Sequence, residues 1–278
     1  MEYIELKISV RDEEHAEIVT AMLADFPFEA FDGEDKELRA YILTAEYDTC
    51  HEEVASTLAT LDVVWSEQRI AQQNWNAAWE SDFEPVRVEG DCPILIRAPH
   101  HAPAEEGVMD VVIAPRMSFG TGHHSTTALM SRTIAEMDFR NQYGLDMGCG
   151  TGVLAIVAAK CGAAGMVAVD IDDWACDSCR DSIALSGVAD KVDVRCGSIQ
   201  EVAGEKFDFV LANINRNILI DMMPSFAEAL SEGGYLLMSG FFAEDIPILE
   251  RSASEYGFCL ERHAQRGGWA VMVCRKNS

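Results

Sequence analysis

The first 70 residues alternate between the apolar spacing of strands and that of helices. Every second residue is apolar in "YIELKISV" (3–10), which predicts a strand. Helical spacing follows in "DEEHAEIVTAMLADF", with Asp12 as the expected N-cap. Two strands are predicted in "FEAFDG" and "ELRAYIL", around the turn-forming "DGED". A helix at about 48–60 and a strand in "DVVWSEQRI" complete the segment. The order β-α-β-β-α-β predicts a small ferredoxin-like α+β domain over residues 1–70.

Residues 71–84 carry apolar side chains on a single helical stripe. Trp75, Trp79 and Phe83 recur at helical spacing in "AQQNWNAAWESDFEP", and Pro85 ends the pattern. We therefore predict a linker helix over 71–84, whose tryptophans pack against a neighbouring element rather than take part in chemistry.

From residue 85 onward, strands alternate with helical stretches of about a dozen residues, as in parallel sheets covered on both faces. Two short strands come first, in "PILIRAP" and "MDVVIAP". The strands expected after them are 143–147, 165–170, 192–196, 207–212 and 233–239. The closing "GFCLERHAQRGGWAVMVCRK" predicts an antiparallel hairpin with its turn at "RGG". Residues 85–278 are thus expected to form one α/β domain.

Composition excludes several classes of protein. The chain has 278 residues, of which 49% are hydrophobic, enough for a large domain beside a small one. It contains no run of about 18 apolar residues that would span a membrane, and its first residues lack the pattern of a secretory signal. Nine cysteines are scattered without the spacing of a disulfide framework. Reduced thiols and a cytoplasmic location are therefore expected.

Charge is distributed unevenly along the chain. The formal net charge is −26, and the first 65 residues hold 17 acidic but only 4 basic side chains. Such a surface repels phosphate backbones and attracts basic partners, which disfavours RNA binding by this segment. An acidic surface that serves only solubility is the alternative.

"YGLDMGCGTGVLAIVAAKCGA" (143–163) combines an apolar strand, a glycine-rich turn and an apolar helix. The strand reaches Asp146, and Gly148, Gly150 and Gly152 alternate behind it. Glycines at such a turn let the backbone bend sharply and approach a ligand, and unpaired amides at the helix start bind anionic groups. The turn predicts a site for a dinucleotide or for the amino-acid end of a related nucleoside cofactor. Asp146 either touches that ligand or holds the amides of the turn.

The spacing of the turn separates these two ligands. D-x-G-x-G-x-G differs from the G-x-G-x-x-G of dinucleotide-binding proteins, which disfavours an NAD-dependent oxidoreductase. "VAVDID" places Asp170 at the end of the next strand, about 20 residues after the turn, where a carboxylate can accept both ribose hydroxyls. Capping of the following helix is the alternative role for Asp170. The turn and the acid together resemble the class I methyltransferases that bind S-adenosylmethionine.

"KFDFVLANINRNILIDMMP" (206–224) predicts a strand that ends at Asn213, followed by a polar turn and a helix. Ligands of doubly wound sheets lie at the carboxyl ends of the strands, which puts Asn213 beside the reactive end of the cofactor. Resemblance to amino-group methyltransferases implies that Asn213 accepts a hydrogen bond from the incoming amine; a helix cap is the alternative. "NINR" lacks the N-P-P-[YF] pattern of glutamine and adenine modifiers, which favours a flexible aliphatic amine.

Two groups of potential metal ligands are not expected to bind metal. Cys176 and Cys179 form a C-x-x-C pair within a predicted helix, with no second pair elsewhere. His123 and His124 are adjacent, and neighbouring residues of a loop rarely coordinate the same ion.

"MSFGTGHHSTTALM" (117–130) lies between the strand "DVVIAP" and a predicted helix. Beside a cofactor-binding sheet, Phe119, Gly120, Thr121 and Gly122 are expected to form a loop over the cofactor. Hydroxyl groups at the start of the helix are expected to reach the carboxylate of the cofactor. We interpret the stretch as a lid.

These motifs, with the upstream "NWNAAW", resemble those of the PrmA-type ribosomal protein methyltransferases along essentially the whole chain. The resemblance implies an α/β class I (Rossmann-like) seven-stranded sheet, a small N-terminal ferredoxin-like α+β domain, and cofactor contacts from Thr127, Gly148, Asp170 and Asn213. It also implies methylation of lysine and N-terminal amines of protein eleven of the large ribosomal subunit. The acidic domain would recognise this partner, without direct nucleic-acid binding. "NINRN" departs from the family pattern, and another amine or an RNA as methyl acceptor on the same fold is the alternative.

Overall fold

The computed structural model of the chain describes residues 3–23, 26–34, 36–61, 63–70, 83–114, 120 and 122–277. Contacts divide the chain into two compact units, Met1–Trp75 and Asn76–Ser278. The linker helix predicted for 71–84 lies outside the described residues, apart from its last two positions.

The first unit is a four-stranded antiparallel sheet with two helices. Its elements are β1 (Tyr3–Ser9), α1 (Glu13–Leu23), β2 (Phe28–Glu34), β3 (Glu37–Leu43), α2 (Thr44–Thr60) and β4 (Val64–Ile70). The strand order is β2-β3-β1-β4, and each pairing is antiparallel. The predicted ferredoxin-like order of elements is confirmed. Leu6, Ile42 and Leu58 are fully buried between sheet and helices.

Local sequence signals predict the start of one helix in this unit correctly and the start of the other too late. Asp12 caps α1 as predicted, because its side chain accepts a hydrogen bond from the His15 N–H at 2.9 Å. α2 begins at Thr44, about one turn earlier than expected. The earlier turn buries Tyr47, whose hydroxyl donates to Glu67 at 2.7 Å, a tertiary contact that periodicity alone does not reveal.

The second unit begins with a small three-stranded sheet of β5 (Val86–Val88), β6 (Ile94–Arg97) and β7 (Met109–Val112). The two longer strands were expected. The sequence does not predict β5, because three residues are too few to show alternation. Arg97 donates two hydrogen bonds to Asp110, each of 2.7 Å, and so joins β6 to β7.

The main sheet of the second unit has seven strands. They are β8 (Tyr143–Met147), β9 (Gly165–Asp170), β10 (Val192–Cys196), β11 (Phe207–Asn213), β12 (Leu230–Phe242), β13 (Phe258–Arg266) and β14 (Trp269–Lys276). Their order is β10-β9-β8-β11-β12-β14-β13, parallel except for β14, which is antiparallel to both neighbours. The predicted seven-stranded sheet and its closing hairpin are confirmed. The order reverses between β8 and β11, so a crevice opens beyond their carboxyl ends.

Within the described part of the chain, five helices cover the two faces of this sheet. They are α3 (Ser125–Ala135), α4 (Val153–Lys160), α5 (Asp173–Leu185), α6 (Arg216–Ala229) and α7 (Ile246–Glu255). Leu211 packs in one core with residues of α3, α4 and α5, whereas its neighbour Val210 packs in a second core with residues of α6 and α7. No helix among the described residues combines the length and apolar character needed to cross a membrane.

β12 is much longer than the predicted 233–239. It runs for 13 residues because β11 pairs with one side and β14 with the other, up to the pair Phe242–Trp269. The extension brings the ring of Phe242 onto that of Trp269 at the start of β14, with centroids 4.3 Å apart.

Candidate active site

The glycine turn after β8 has the backbone conformation that only glycine adopts readily. Gly148, Gly150 and Gly152 have φ values of 74°, 52° and 78°. A Cβ at Gly148 would lie 2.4 Å from Ile214 Cγ2, and one at Gly152 would lie 2.5 Å from Cys179 Sγ. The turn therefore requires glycine for both its dihedral angles and its close packing.

Asp170 ends β9 and binds the glycine turn. Its Oδ2 accepts the Gly150 N–H at 2.9 Å, and its Oδ1 accepts the Asp172 N–H at 3.1 Å. Asp172, not Asp170, caps α5, by accepting the Trp174 N–H at 2.9 Å. The alternative role of Asp170 as a helix cap is therefore wrong. Its carboxylate faces the crevice with lone pairs still available.

Asp146 lies beneath the turn and is fully buried. Its Oδ2 accepts the Ala155 N–H in the first turn of α4 at 3.0 Å, and its Oδ1 has no hydrogen-bond partner. Burial raises the pKa of this carboxyl to about 7; the Ala155 N–H opposes the shift and the charge of Asp170 adds to it. The backbone amide of the turn is thus held by Asp170, while Asp146 holds the start of α4.

Asn213 is the last residue of β11 and is 8% exposed. Its Nδ2 donates to the hydroxyl of buried Thr127 on α3, at a long 3.5 Å. Its Oδ1 is buried and has no partner. The cap of α6 is Asn215, which accepts the Ile218 N–H at 3.1 Å, so the helix-cap alternative for Asn213 is wrong.

The predicted lid is described only in part, and Phe119 and Thr121 lie outside the described residues. Gly120 has φ 105°, and its carbonyl accepts the Thr151 hydroxyl at 2.8 Å, next to the glycine turn. His124 caps α3, and its Nδ1 lies 2.7 Å from the Thr126 hydroxyl. The Thr126 hydroxyl is therefore engaged within the protein.

A cavity of about 710 Å³ opens at the carboxyl ends of β8, β9 and β11. Of the predicted site residues, Gly148, Gly150, Asp170 and Asn213 line it. Asp146 and Thr127 are buried outside this lining, and Gly120 contacts the glycine turn through the Thr151 hydroxyl.

Sequence reasoning missed most of the apolar lining. Ile171 follows Asp170 and is 77% exposed, and Ile199 and Ile218 continue the apolar surface. The signal that could have found Ile171 is its position directly after the acid that ends β9, at the carboxyl edge of the sheet where ligands of such folds bind. Trp269, just beyond the "RGG" turn, also lines the cavity.

The chemistry of this lining fits S-adenosylmethionine. Asp170 can accept sugar hydroxyls, the isoleucines offer an apolar surface for a base, and the glycines allow close backbone approach. Asn213 Oδ1, in the same lining, is a buried acceptor that still needs a donor. With the strand order and the D-x-G-x-G-x-G turn, these features define a class I methyltransferase that uses S-adenosylmethionine.

Comparison with known proteins gives the family. The profile of the ribosomal protein L11 methyltransferase (PrmA) family matches residues 8–277. The ribosomal protein L11 methyltransferase of Porphyromonas gingivalis is 40% identical over 267 residues, which are 92% of this chain and 89% of that protein. The one from Phocaeicola vulgatus is 33% identical over 279 residues, 98% of both chains. The chain therefore belongs to the PrmA family of ribosomal protein L11 methyltransferases, as its motifs predicted.

A solved structure agrees with this assignment. The crystal structure of the ribosomal protein L11 methylase from Lactobacillus delbrueckii subsp. bulgaricus has a TM-score of 0.63 and 26% sequence identity, and the match covers 70% of this chain and 100% of that one. The protein is an S-adenosylmethionine-dependent protein methyltransferase, and the predicted fold class and cofactor are confirmed.

Proposed function

We propose that the enzyme methylates the lysine ε-amines and the N-terminal α-amine of ribosomal protein L11. The observation that carries this proposal is the Oδ1 atom of Asn213, a buried acceptor without a partner in the wall of the cavity. A buried polar atom of this kind is stabilised when a ligand supplies the donor. An amine N–H is such a donor.

We assign the cofactor contacts to the residues predicted for them. Asp170 accepts the ribose hydroxyls, and Gly148 and Gly150 let the backbone approach the ligand. Thr127 and Asp146 support the floor beneath the reactive end, where Thr127 fixes the amide of Asn213. When bound, S-adenosylmethionine supplies a sulfonium methyl group whose transfer leaves the bonding pair on sulfur. No covalent nucleophile is therefore required from the protein.

The protein must present the acceptor amine in its neutral form. An α-amine titrates at about pH 8 and a lysine amine at about pH 10.4. At neutral pH a larger fraction of the lysine amine is therefore protonated and must lose its proton before transfer. Asn213 accepts one N–H of the amine through Oδ1 and so directs the nitrogen lone pair toward the methyl group. The proton that the product ammonium sheds between transfers passes to solvent.

We assign recognition of L11 to the first unit. α2 contains Glu46, Asp48, Glu52 and Glu53 and no lysine or arginine, and the last three of these acids are exposed. An acidic helix face is complementary to a basic ribosomal protein and unfavourable for phosphate backbones. We accordingly expect no direct nucleic-acid binding and place the enzyme in the cytoplasm, where its substrate is made.

Mass spectrometry of methylated substrate tests the proposed function. Purified enzyme is incubated with S-adenosylmethionine and either L11 alone or intact large ribosomal subunits. Methyl groups on lysine and N-terminal amines of L11, found by peptide fragmentation, are the expected result. Methyl groups on another ribosomal protein, or on ribosomal RNA only, would contradict it.

A further inference from the structure

The C-x-x-C pair of α5 does not form one cluster, because its two cysteines face different neighbours. Cys179 contacts Cys149 of the glycine turn, and both side chains are buried in the core. Cys176 lies against the carboxyl end of β10, where its thiol contacts that of Cys196. In the part of the chain that the structure describes, no three His, Cys, Asp or Glu side chains are grouped so that they could hold a metal ion. The motif therefore supplies one cysteine to each of two thiol pairs.

Several contacts hold Cys176 beside Cys196, and we call these two residues the thiol pair. The Cys176 Sγ is within hydrogen-bonding distance of the Asp170 carbonyl, at 3.4 Å, and of the Arg195 carbonyl, at 3.7 Å. Burial, together with a hydrogen bond to the Cys196 thiol, raises the pKa of Cys176 to about 12. Cys176 is thus a protonated thiol that is fixed against its partner cysteine and against the residue before it.

The two cysteine pairs differ in access and in charge. Cys149 and Cys179 are 5% and 0% exposed, so the folded protein shields both from an oxidant. Cys196 is partly exposed, and the guanidinium of Arg180 donates to its Sγ at 3.5 Å. An accessible cysteine beside a cationic group is typical of reactive thiols, because the positive charge stabilises the thiolate that attacks an oxidant. Cys196 therefore has the features of an attacking thiol, and Cys176 those of the thiol that resolves the product.

The thiol pair adjoins two parts of the cavity lining. β9 and β10 pair so that Cys196 lies opposite Asp170, and the Gly197 N–H donates to the Asp170 carbonyl at 2.8 Å. Ser198 and Ile199, which follow along the chain, line the cavity, as does Asp170 itself. A movement of the sulfur atoms is therefore separated from both parts of the lining by one or two residues.

We propose that Cys176 and Cys196 form a reversible disulfide, a redox modification site that weakens cofactor binding when it is oxidised. With hydrogen peroxide as the oxidant, the Cys196 thiolate attacks one peroxide oxygen and the O–O bond breaks. Cys196 becomes a sulfenic acid, and the hydroxide that leaves takes up the proton of the thiol to form water. The Cys176 sulfur then attacks the Cys196 sulfur, the S–O bond breaks, and the Cys176 proton leaves with that oxygen as a second water.

The disulfide changes the surroundings of Asp170 in two ways. It removes the Cys176 S–H from the Asp170 carbonyl. It also draws the start of α5 toward the end of β10, because the two sulfur atoms must approach to about 2 Å. The end of β10 carries Ser198 and Ile199 with it, so that the cavity lining shifts relative to Asp170. Cofactor affinity therefore falls although every side chain that lines the cavity is chemically unchanged.

Peptide mapping and calorimetric titration of the same samples test the proposal. Wild type is treated with hydrogen peroxide, and the dissociation constant of S-adenosylhomocysteine is measured before and after addition of dithiothreitol. Mass spectrometry should find two peptides joined through Cys176 and Cys196. The dissociation constant should rise about three- to thirtyfold, and dithiothreitol should reverse the change. Cys196→Ser should show neither effect, whereas Cys259→Ser, which removes an exposed cysteine of β13, is the matched control and should respond like wild type.

Arg180→Gln is a second test that leaves both cysteines in place. It removes the positive charge beside Cys196, so peroxide should form the disulfide several-fold more slowly, while the reduced variant binds S-adenosylhomocysteine like wild type. If Cys196→Ser does not fold, as judged by S-adenosylhomocysteine binding of the reduced protein, Cys176→Ser carries the same prediction. Peroxide-treated wild type that lacks the Cys176–Cys196 link, or that has the link and unchanged affinity, would overturn the inference.

Discussion

At the scale of single residues, the two carboxylates near the glycine turn have different tasks. Asp170 is partly exposed and accepts two backbone N–H groups, while Asp146 is fully buried and accepts one. The sequence singled out both acids, Asp146 within the D-x-G-x-G-x-G pattern and Asp170 at the end of the next strand. Of the two, Asp170 lines the cavity. Their positions, and not their residue type, separate the acid that lines the cavity from the acid that is buried beneath the turn.

The raised pKa of Asp146 predicts how the stability of the cofactor-free enzyme depends on pH. Between the unfolded pKa of about 4 and the native pKa of about 7, the unfolded carboxyl is ionised but the native one is protonated. The free energy of unfolding therefore falls as pH rises through this window and levels off above it. From pH 5 to pH 7.5, wild type should lose about 2–3 kcal/mol relative to Asp146→Asn.

Urea denaturation at the two pH values, without cofactor, measures this difference. Asp190→Asn, which changes an exposed carboxylate, should retain the wild-type pH dependence. The assignment of the buried charge would be wrong if Asp146→Asn also retained it.

Asn213 predicts a separation of catalysis from cofactor binding. Asn213→Ala removes the amide oxygen that we propose as the acceptor of the amine N–H, so kcat should fall while the dissociation constant of S-adenosylhomocysteine changes little. The loss of one preorganised hydrogen bond corresponds to about tenfold to a hundredfold in kcat. Asp12→Ala, which removes the cap of α1 in the first unit, is the control for general destabilisation. A variant with weak cofactor binding and unchanged kcat would contradict the role given to Asn213.

At the scale of elements, the sequence predicted the strands and helices well wherever periodicity and capping agree. β8, β9 and β10 have the predicted bounds, and the closing hairpin forms around "RGG". β12 exceeds its prediction because pairing on both sides, and not its own pattern, decides its length. β5 was missed because it is short. These differences arise from tertiary contacts, which local patterns do not encode.

The sequence also predicted part of the candidate site. Four cavity-lining residues were predicted because each lies at a strand end or in the glycine turn: Gly148, Gly150, Asp170 and Asn213. The carboxyl ends of parallel strands meet at one edge of the sheet, which brings these residues together. The contact of Phe242 with Trp269, which lines the cavity, was not predictable, because the two residues become neighbours through the pairing of β12 with β14. The order of the strands therefore assembles the part of the site that the motifs leave out.

At the scale of the whole molecule, the charge of the first unit predicts how the enzyme selects its partner. Reversing two exposed acids of α2, in the variant Glu52→Lys/Glu53→Lys, should raise KM for intact L11 about two- to tenfold at low salt. KM for a short peptide should not change, because we expect the peptide to bind at the cavity of the second unit. The effect on L11 should shrink as salt screens the charges.

Two charge reversals on exposed acids of the second unit, Asp190→Lys/Glu228→Lys, control for the change in net charge. Recognition by α2 would be refuted by equal KM values for L11 in the two double variants.

The most direct test of the account is calorimetric titration with S-adenosylhomocysteine. Asp170→Asn keeps an oxygen for the Gly150 N–H but replaces the second acceptor, so the dissociation constant should rise about tenfold to a hundredfold relative to wild type. Asp173→Asn, which alters an exposed acid three residues away, should bind like wild type. Equal affinity in all three proteins would contradict the claim that the ribose of the cofactor is held by the acid at the end of β9.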